Sequence, residues 1–170
     1  MRTVGRAHDR RVSIPPADSR DVVDRYGRVV ILVEDDEGRR LVLERMLRAF
    51  GFEAQAYGSA EAVLADHSQD WADCMVVDLN LPKMSGLDLV DCLRGRGVSA
   101  PAVVITGEVR PGMRAEVRRR GIKHFLAKPF PGGALVRLLD DVIAANSNGA
   151  GSGQAITLAP KGGLHCPRAR

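Results

Sequence analysis

The chain has 170 residues, a formal charge of +4 at pH 7, 45% apolar residues and only 4% aromatics. That length suits one domain with some surplus, and its core must be aliphatic. The longest apolar runs hold about five residues against the roughly 20 that cross a bilayer, so no transmembrane helix is expected.

The basic charge sits at the ends. Residues 1–26 hold six Arg against four Asp, and 147–170 hold Lys161, Arg168 and Arg170 with no acid, which leaves 27–146 at a net −1. A DNA-reading domain carries its own basic face, so direct contact of the central part with nucleic acid is not expected. Cys74, Cys92 and Cys166 are too scattered for a disulfide framework or a zinc site, and His165-Cys166 is too small to bind metal. A reducing, cytoplasmic setting fits this usage.

Residues 1–26 mix Arg and Asp with Pro15-Pro16, lack an apolar period or a signal-peptide core, and read as a disordered N-terminal extension. Val29 to Val33 is a continuous β-branched run, the mark of a strand covered on both faces. The acids Glu34, Asp35, Asp36 and Glu37 follow, with Asp36 placed to cap a helix. That helix carries Leu41, Val42, Leu43, Met46, Leu47 and Phe50 at helical spacing, and Gly51 ends it.

Glu53 to Tyr57 is a second strand, and Ser59 caps a short helix with Ala62, Val63 and Leu64. Asp66 to Trp71 is a polar connection. Cys74 to Val77 is a third, apolar strand that delivers Asp78 at its end. Ser85 and Asp88 form a capping-box-like pair opening a third helix, which Gly95 and Gly97 end.

Pro101 to Thr106 is a fourth strand with Pro at its first residue. A short basic helix runs from Met113 to Arg120 and Gly121 stops it. Ile122 to Ala127 is a fifth strand. A last helix holds Leu135, Val136, Leu138, Leu139, Val142 and Ile143, and from Asn146 the composition turns to that of a linker. The expected organisation is a folded domain over 27–146 and a flexible C-terminal tail over 147–170.

Five apolar strands alternating with five helices imply an α/β fold: a five-stranded parallel sheet, doubly wound as (βα)5 with right-handed crossovers. Such sheets place their sites at the carboxyl ends of the strands. Those ends carry Glu34 and Asp35, Asp78, Thr106 and Lys128. Taken singly, Asp78 reads as a turn cap, Thr106 as a strand-end hydroxyl and Lys128 as a loop lysine. Their convergence carries the functional reading. Three carboxylates crowded together need compensation, which one Lys and a divalent cation supply. Mg2+ suits all-oxygen ligands and a phosphoryl group, and Asp78 is then placed to act as a nucleophile toward phosphorus.

The motifs Val33-Glu34-Asp35-Asp36, Asp78 to Gly86 (Asp-Leu-Asn-Leu-Pro-Lys-Met-Ser-Gly), Val104-Ile105-Thr106-Gly107 and Phe125 to Phe130 (Phe-Leu-Ala-Lys-Pro-Phe) occur in this order. Together they resemble the receiver domain of two-component response regulators, in the style of nitrogen-fixation regulators, over about residues 27–146. The resemblance implies a flavodoxin-like receiver topology and a non-enzymatic phosphorylation switch. In it Asp78 is the phosphoacceptor, Asp35 a direct Mg2+ ligand, Glu34 a ligand through water, and Asn80 a ligand through its carbonyl. Thr106 is the switch hydroxyl, Phe125 the switch aromatic, and Lys128 the phosphoryl-binding cation, joined to Pro129 by a cis bond. Glu34 stands where Asp is usual, and Leu81 where Met is frequent.

The implied partners are a sensor histidine kinase or phosphotransfer protein as donor, and a downstream protein on the face formed by residues 108–145. Dimerisation through that face is left open. Two other classes are weighed. A phosphorylation-independent adaptor with this fold is disfavoured because Asp35, Asp78, Thr106 and Lys128 are all present. An aspartate-nucleophile phosphatase would want a second Asp where Asn80 stands.

Overall fold

A computed structural model describes residues 25–66 and 72–149. In chain order the elements are β1 (Val29–Val33), α1 (Glu37–Ala49), β2 (Glu53–Tyr57), α2 (Ala60–Ala65), β3 (Cys74–Asp78), α3 (Gly86–Gly95), β4 (Ala102–Thr106), α4 (Met113–Arg119), β5 (His124–Ala127) and α5 (Gly132–Gly149). The strands form one parallel sheet in the order β2-β1-β3-β4-β5. The predicted five-stranded parallel α/β architecture is therefore observed. The extension over 1–24, the tail over 150–170 and the connection at 67–71, with Trp71 and His165-Cys166, lie outside the described residues.

Three helices end in the same way. Gly51, Gly97 and Gly121 have φ of 95°, 93° and 68°, a left-handed backbone that suits glycine. The next residue in each case, Phe52, Val98 or Ile122, donates its N–H back to Leu47, Leu93 or Val117. All three are nearly fully buried, so each helix stop is also a hydrophobic anchor. This explains why β5 starts later than the sequence suggests. The Ile122 N–H is used by the α4 stop, and the ladder begins only at His124. Similarly, Pro101 precedes β4 and contributes only its carbonyl, which accepts from the Met75 N–H at 2.9 Å.

The N-terminal caps follow the sequence. Asp36, Ser59 and Ser85 accept from the backbone N–H groups of Arg39, Ala62 and Asp88. α5 continues through Asn146 and Ser147 to Gly149, three residues past the expected domain end. The folded part also begins earlier than residue 27. Arg25 is buried and forks onto the Asp140 carboxylate of α5 at 2.7 and 2.5 Å.

Alternation along the central strands splits the core in two. Ile31, Val33, Met75, Val77 and Val104 pack against α2, α3 and α4. Val30, Leu32, Val76, Val103 and Ile105 pack against α1 and α5. Many of these side chains are fully buried, each contributing about 1.5–3 kcal/mol.

Candidate functional site

The strand periodicity also decides which side chains meet at the carboxyl edge. Successive residues point to opposite faces. Glu34, Asp78 and Lys128 continue the parity of Leu32, Val76 and Leu126, which belong to the α1/α5 side. Thr106 continues the parity of Ala102 and Val104 on the α2–α4 side, where Phe125 also packs.

The first group is in direct contact. Lys128 Nζ donates to Glu34 Oε2 at 2.5 Å and to Asp78 Oδ2 at 2.6 Å. Glu34 has no exposed surface and Asp78 only 3%. A buried carboxylate needs a partner, and one lysine serves two. Lys128 is itself anchored by its N–H, which donates to the Thr106 carbonyl at 2.7 Å. The Lys128-Pro129 bond is cis. The other Asp78 oxygen, Oδ1, accepts the Asn80 N–H at 3.1 Å.

Asp35 is more exposed, yet one oxygen each from Glu34, Asp35 and Asp78 lie within 4.8 Å of one another. This donor set is all oxygen and carries three carboxylates, which fits a hard divalent ion such as Mg2+ rather than zinc. Such an ion would supply charge neutralisation beside a phosphoryl group.

Two residues of the sequence-predicted set stand apart. Thr106 is fully buried, and its hydroxyl donates to the Glu108 carbonyl and accepts the Glu108 N–H. Phe125 is half-buried, with the Arg114 guanidinium 5.4 Å from its ring centre. Of the four arginines of α4 and its end, Arg120 is tied to α3 through Asp88 and Asp91 at 2.7 and 2.6 Å. Its carbonyl accepts from Arg94. Arg120 therefore acts as a structural link between helices.

Two cations at the acidic turn were not singled out from sequence. Arg39 Nε donates to Glu34 Oε1 at 2.9 Å, and its Nη2 lies 3.6 Å from Asp35 Oδ1. Arg40 Nη1 donates to the backbone carbonyls of Glu34 and Asp35. The available signal was spacing: Arg39 stands four residues after Asp35, within reach on the first helical turn.

The sequence profile of the response regulator receiver domain matches residues 30–140. The chain belongs to the response regulator receiver family. It is 37% identical over 117 residues to nodulation protein W of Bradyrhizobium diazoefficiens, covering 69% of this chain and 50% of that protein. It is 33% identical over 111 residues to the transcriptional regulatory protein FixJ of Rhizobium meliloti, covering 65% and 54%. The receiver chain thus spans about half the length of these curated relatives. The crystal structure of FixJ-N matches with a TM-score of 0.63 at 31% identity, covering 69% of this chain and 94% of that one. Vibrio cholerae CheY4 matches at 0.63 and 26%, covering 68% and 98%.

Receivers are signalling modules of two-component systems. The family accepts phosphoryl groups from histidine kinases on an aspartate, binds Mg2+ in an acidic pocket and relays to output partners. Among the described residues no helix is long and apolar enough to cross a membrane.

Proposed function

We propose that Asp78 is the phosphoacceptor of this receiver. The observation that carries the reading is the Lys128 bridge between Asp78 and the buried Glu34 at the carboxyl edge of the sheet. In the reaction an Asp78 carboxylate oxygen attacks the phosphorus of a phosphohistidine. The P–N bond breaks, its electron pair returns to the imidazole, and an acyl phosphate forms. Lys128 holds the transferred group. Asp35, with Glu34 behind it and the Asn80 carbonyl alongside, would hold Mg2+.

The switch follows on the other side of the sheet. The Thr106 hydroxyl leaves the Glu108 backbone and turns to the phosphoryl oxygens, and Phe125 moves with it. The face over residues 108–145 then changes its affinity for a downstream protein. A local gain of negative charge that biases a two-state element suffices for this. The donor is a sensor histidine kinase or phosphotransfer protein. A groove of about 510 Å3 between α1 and the segment after β5, lined by Val42, Leu43, Pro129 and Phe130, opens beside Lys128 and supports docking there. The receiver works in the cytoplasm, without direct contact to nucleic acid.

Labelling with a small phosphodonor and Mg2+ tests the assignment. Asp78→Asn abolishes incorporation of an acid-stable, base-labile phosphoryl group. Equal labelling of wild type and variant would refute it.

A further inference from the structure

The acidic edge already holds a cation that the phosphoryl transfer does not use. Glu34 presents two oxygens, and both are engaged: Oε2 by Lys128 and Oε1 by Arg39. Arg39 also lies 3.6 Å from Asp35 and 3.9 Å from Asp36. A cation in the first turn of a helix runs against the helix dipole. The carboxylates therefore decide where this guanidinium sits. The two cations differ in freedom. The Lys128 side chain is 15% exposed and wedged between two buried acids, whereas the Arg39 side chain is 54% exposed and can return to water.

We propose that Arg39 is a resident counter-ion that competes with Mg2+ for Glu34 and Asp35, and so sets the metal concentration at which the site loads. This rests on the reading of Glu34, Asp35 and Asp78 as the Mg2+ pocket. Without metal, Arg39 neutralises the oxygen of Glu34 that Lys128 leaves over, and burial of that acid makes a cation there necessary. A divalent ion at the same oxygens repels the guanidinium, which swings outward while Lys128 stays. Arg39 is thus a positioning residue for metal entry. It would raise the threshold for loading while stabilising the metal-free fold.

The alternative is an ordinary surface pair between residues four apart, worth little to the helix and nothing to the metal. Calorimetric titration of the full chain with MgCl2 at fixed ionic strength separates the two. Arg39→Met is expected to bind Mg2+ about tenfold more tightly, the scale of repulsion between a single and a double charge a few ångströms apart in near-aqueous surroundings. Arg39→Lys, which keeps the charge without the fork, falls between the two. Arg45→Met removes the same charge from an exposed position on α1 and leaves the affinity unchanged. Melting without metal is lower for Arg39→Met than for wild type, and saturating Mg2+ closes that gap. Equal Mg2+ affinity of wild type and Arg39→Met overturns the proposal while the Mg2+ pocket stands. An equal gain in Arg45→Met also overturns it, since net charge would then be the cause. Failure of every protein to bind Mg2+ overturns the metal reading itself, and the proposal with it.

Discussion

A β-carbon on Gly86 would stand 2.1 Å from the backbone oxygen of Asp78 and 2.8 Å from a methyl of Val77. The start of α3 is thus pressed against the end of β3, and the Gly86 N–H donates to the Leu79 carbonyl at 3.1 Å. The requirement for glycine comes from this close approach. Gly86→Ala is expected to cost about 1–3 kcal/mol in urea unfolding, as overpacking does. It also slows phosphoryl uptake, because the strain is relieved by moving Asp78. Gly95 on the same helix has open space around it. Gly95→Ala is expected to be neutral or stabilising by up to about 1 kcal/mol.

Lys128 keeps Glu34 from being a half-paired buried charge. Lys128→Met is expected to destabilise the metal-free protein by about 1–3 kcal/mol, the cost of leaving one oxygen of a buried carboxylate unsatisfied while Arg39 and the Asn80 N–H keep the others. Adding Glu34→Gln to Lys128→Met restores part of it. Urea midpoints of the single and double variants check the coupling.

Asp88 connects the cap of α3 to α4. The Ser85 hydroxyl above all, and then Arg120, hold its carboxyl below the usual range. A folded value below the unfolded one means stability that is present above the unfolded carboxylate value of about 4 and is lost as pH falls through the folded value. Asp88→Asn is expected to flatten the acid side of the stability profile below about pH 4, with less than about 1 kcal/mol at neutral pH because the pair is solvent-screened. Thermal melts across acidic pH measure it.

Cys74 and Cys92 should separate cleanly toward an alkylating reagent. Burial pushes the Cys74 thiol up to about 12, and it has no exposed surface, whereas Cys92 is half-buried. Thiolate is the reactive form. At about pH 8, peptide mass mapping is expected to show Cys92 modified in the native protein and Cys74 modified only after unfolding.

Much of this was legible because local and global preferences agree. Asp36, Ser59 and Ser85 cap where hydroxyl and carboxylate residues precede apolar periods. The glycines end helices where left-handed backbone is needed, and β-branched runs make buried strands. The contact of Glu34, Asp78 and Lys128 followed from one rule about strand ends. What stayed hidden depends on partners distant in sequence or on free rotamers. Arg25 sits in a segment of mixed Arg and Asp that looks solvated. Asp140, 115 residues away, holds it there, with the Phe52 ring at 6.0 Å. The spacing of Arg39 points to Asp35, four residues before it, and says nothing of the Glu34 oxygen that it also holds. Asn, Ser and Gly are poor helix formers and predict an end near Asn146, yet α5 runs on to Gly149.

The sheet is also a partition. Asp78 and Lys128 share the α1/α5 side, while Thr106 and Phe125 share the other. In the proposed switch, a mark written in one compartment is read from the second. The two chambers are separated at the centre by β3 and β4, buried along their whole length, so the message has to pass around the rim where β3, β4 and β5 end. Core substitutions on the α1/α5 side should then alter how readily the mark is written. Those on the α2–α4 side, around Thr106 and Phe125, should alter how faithfully the switch follows it.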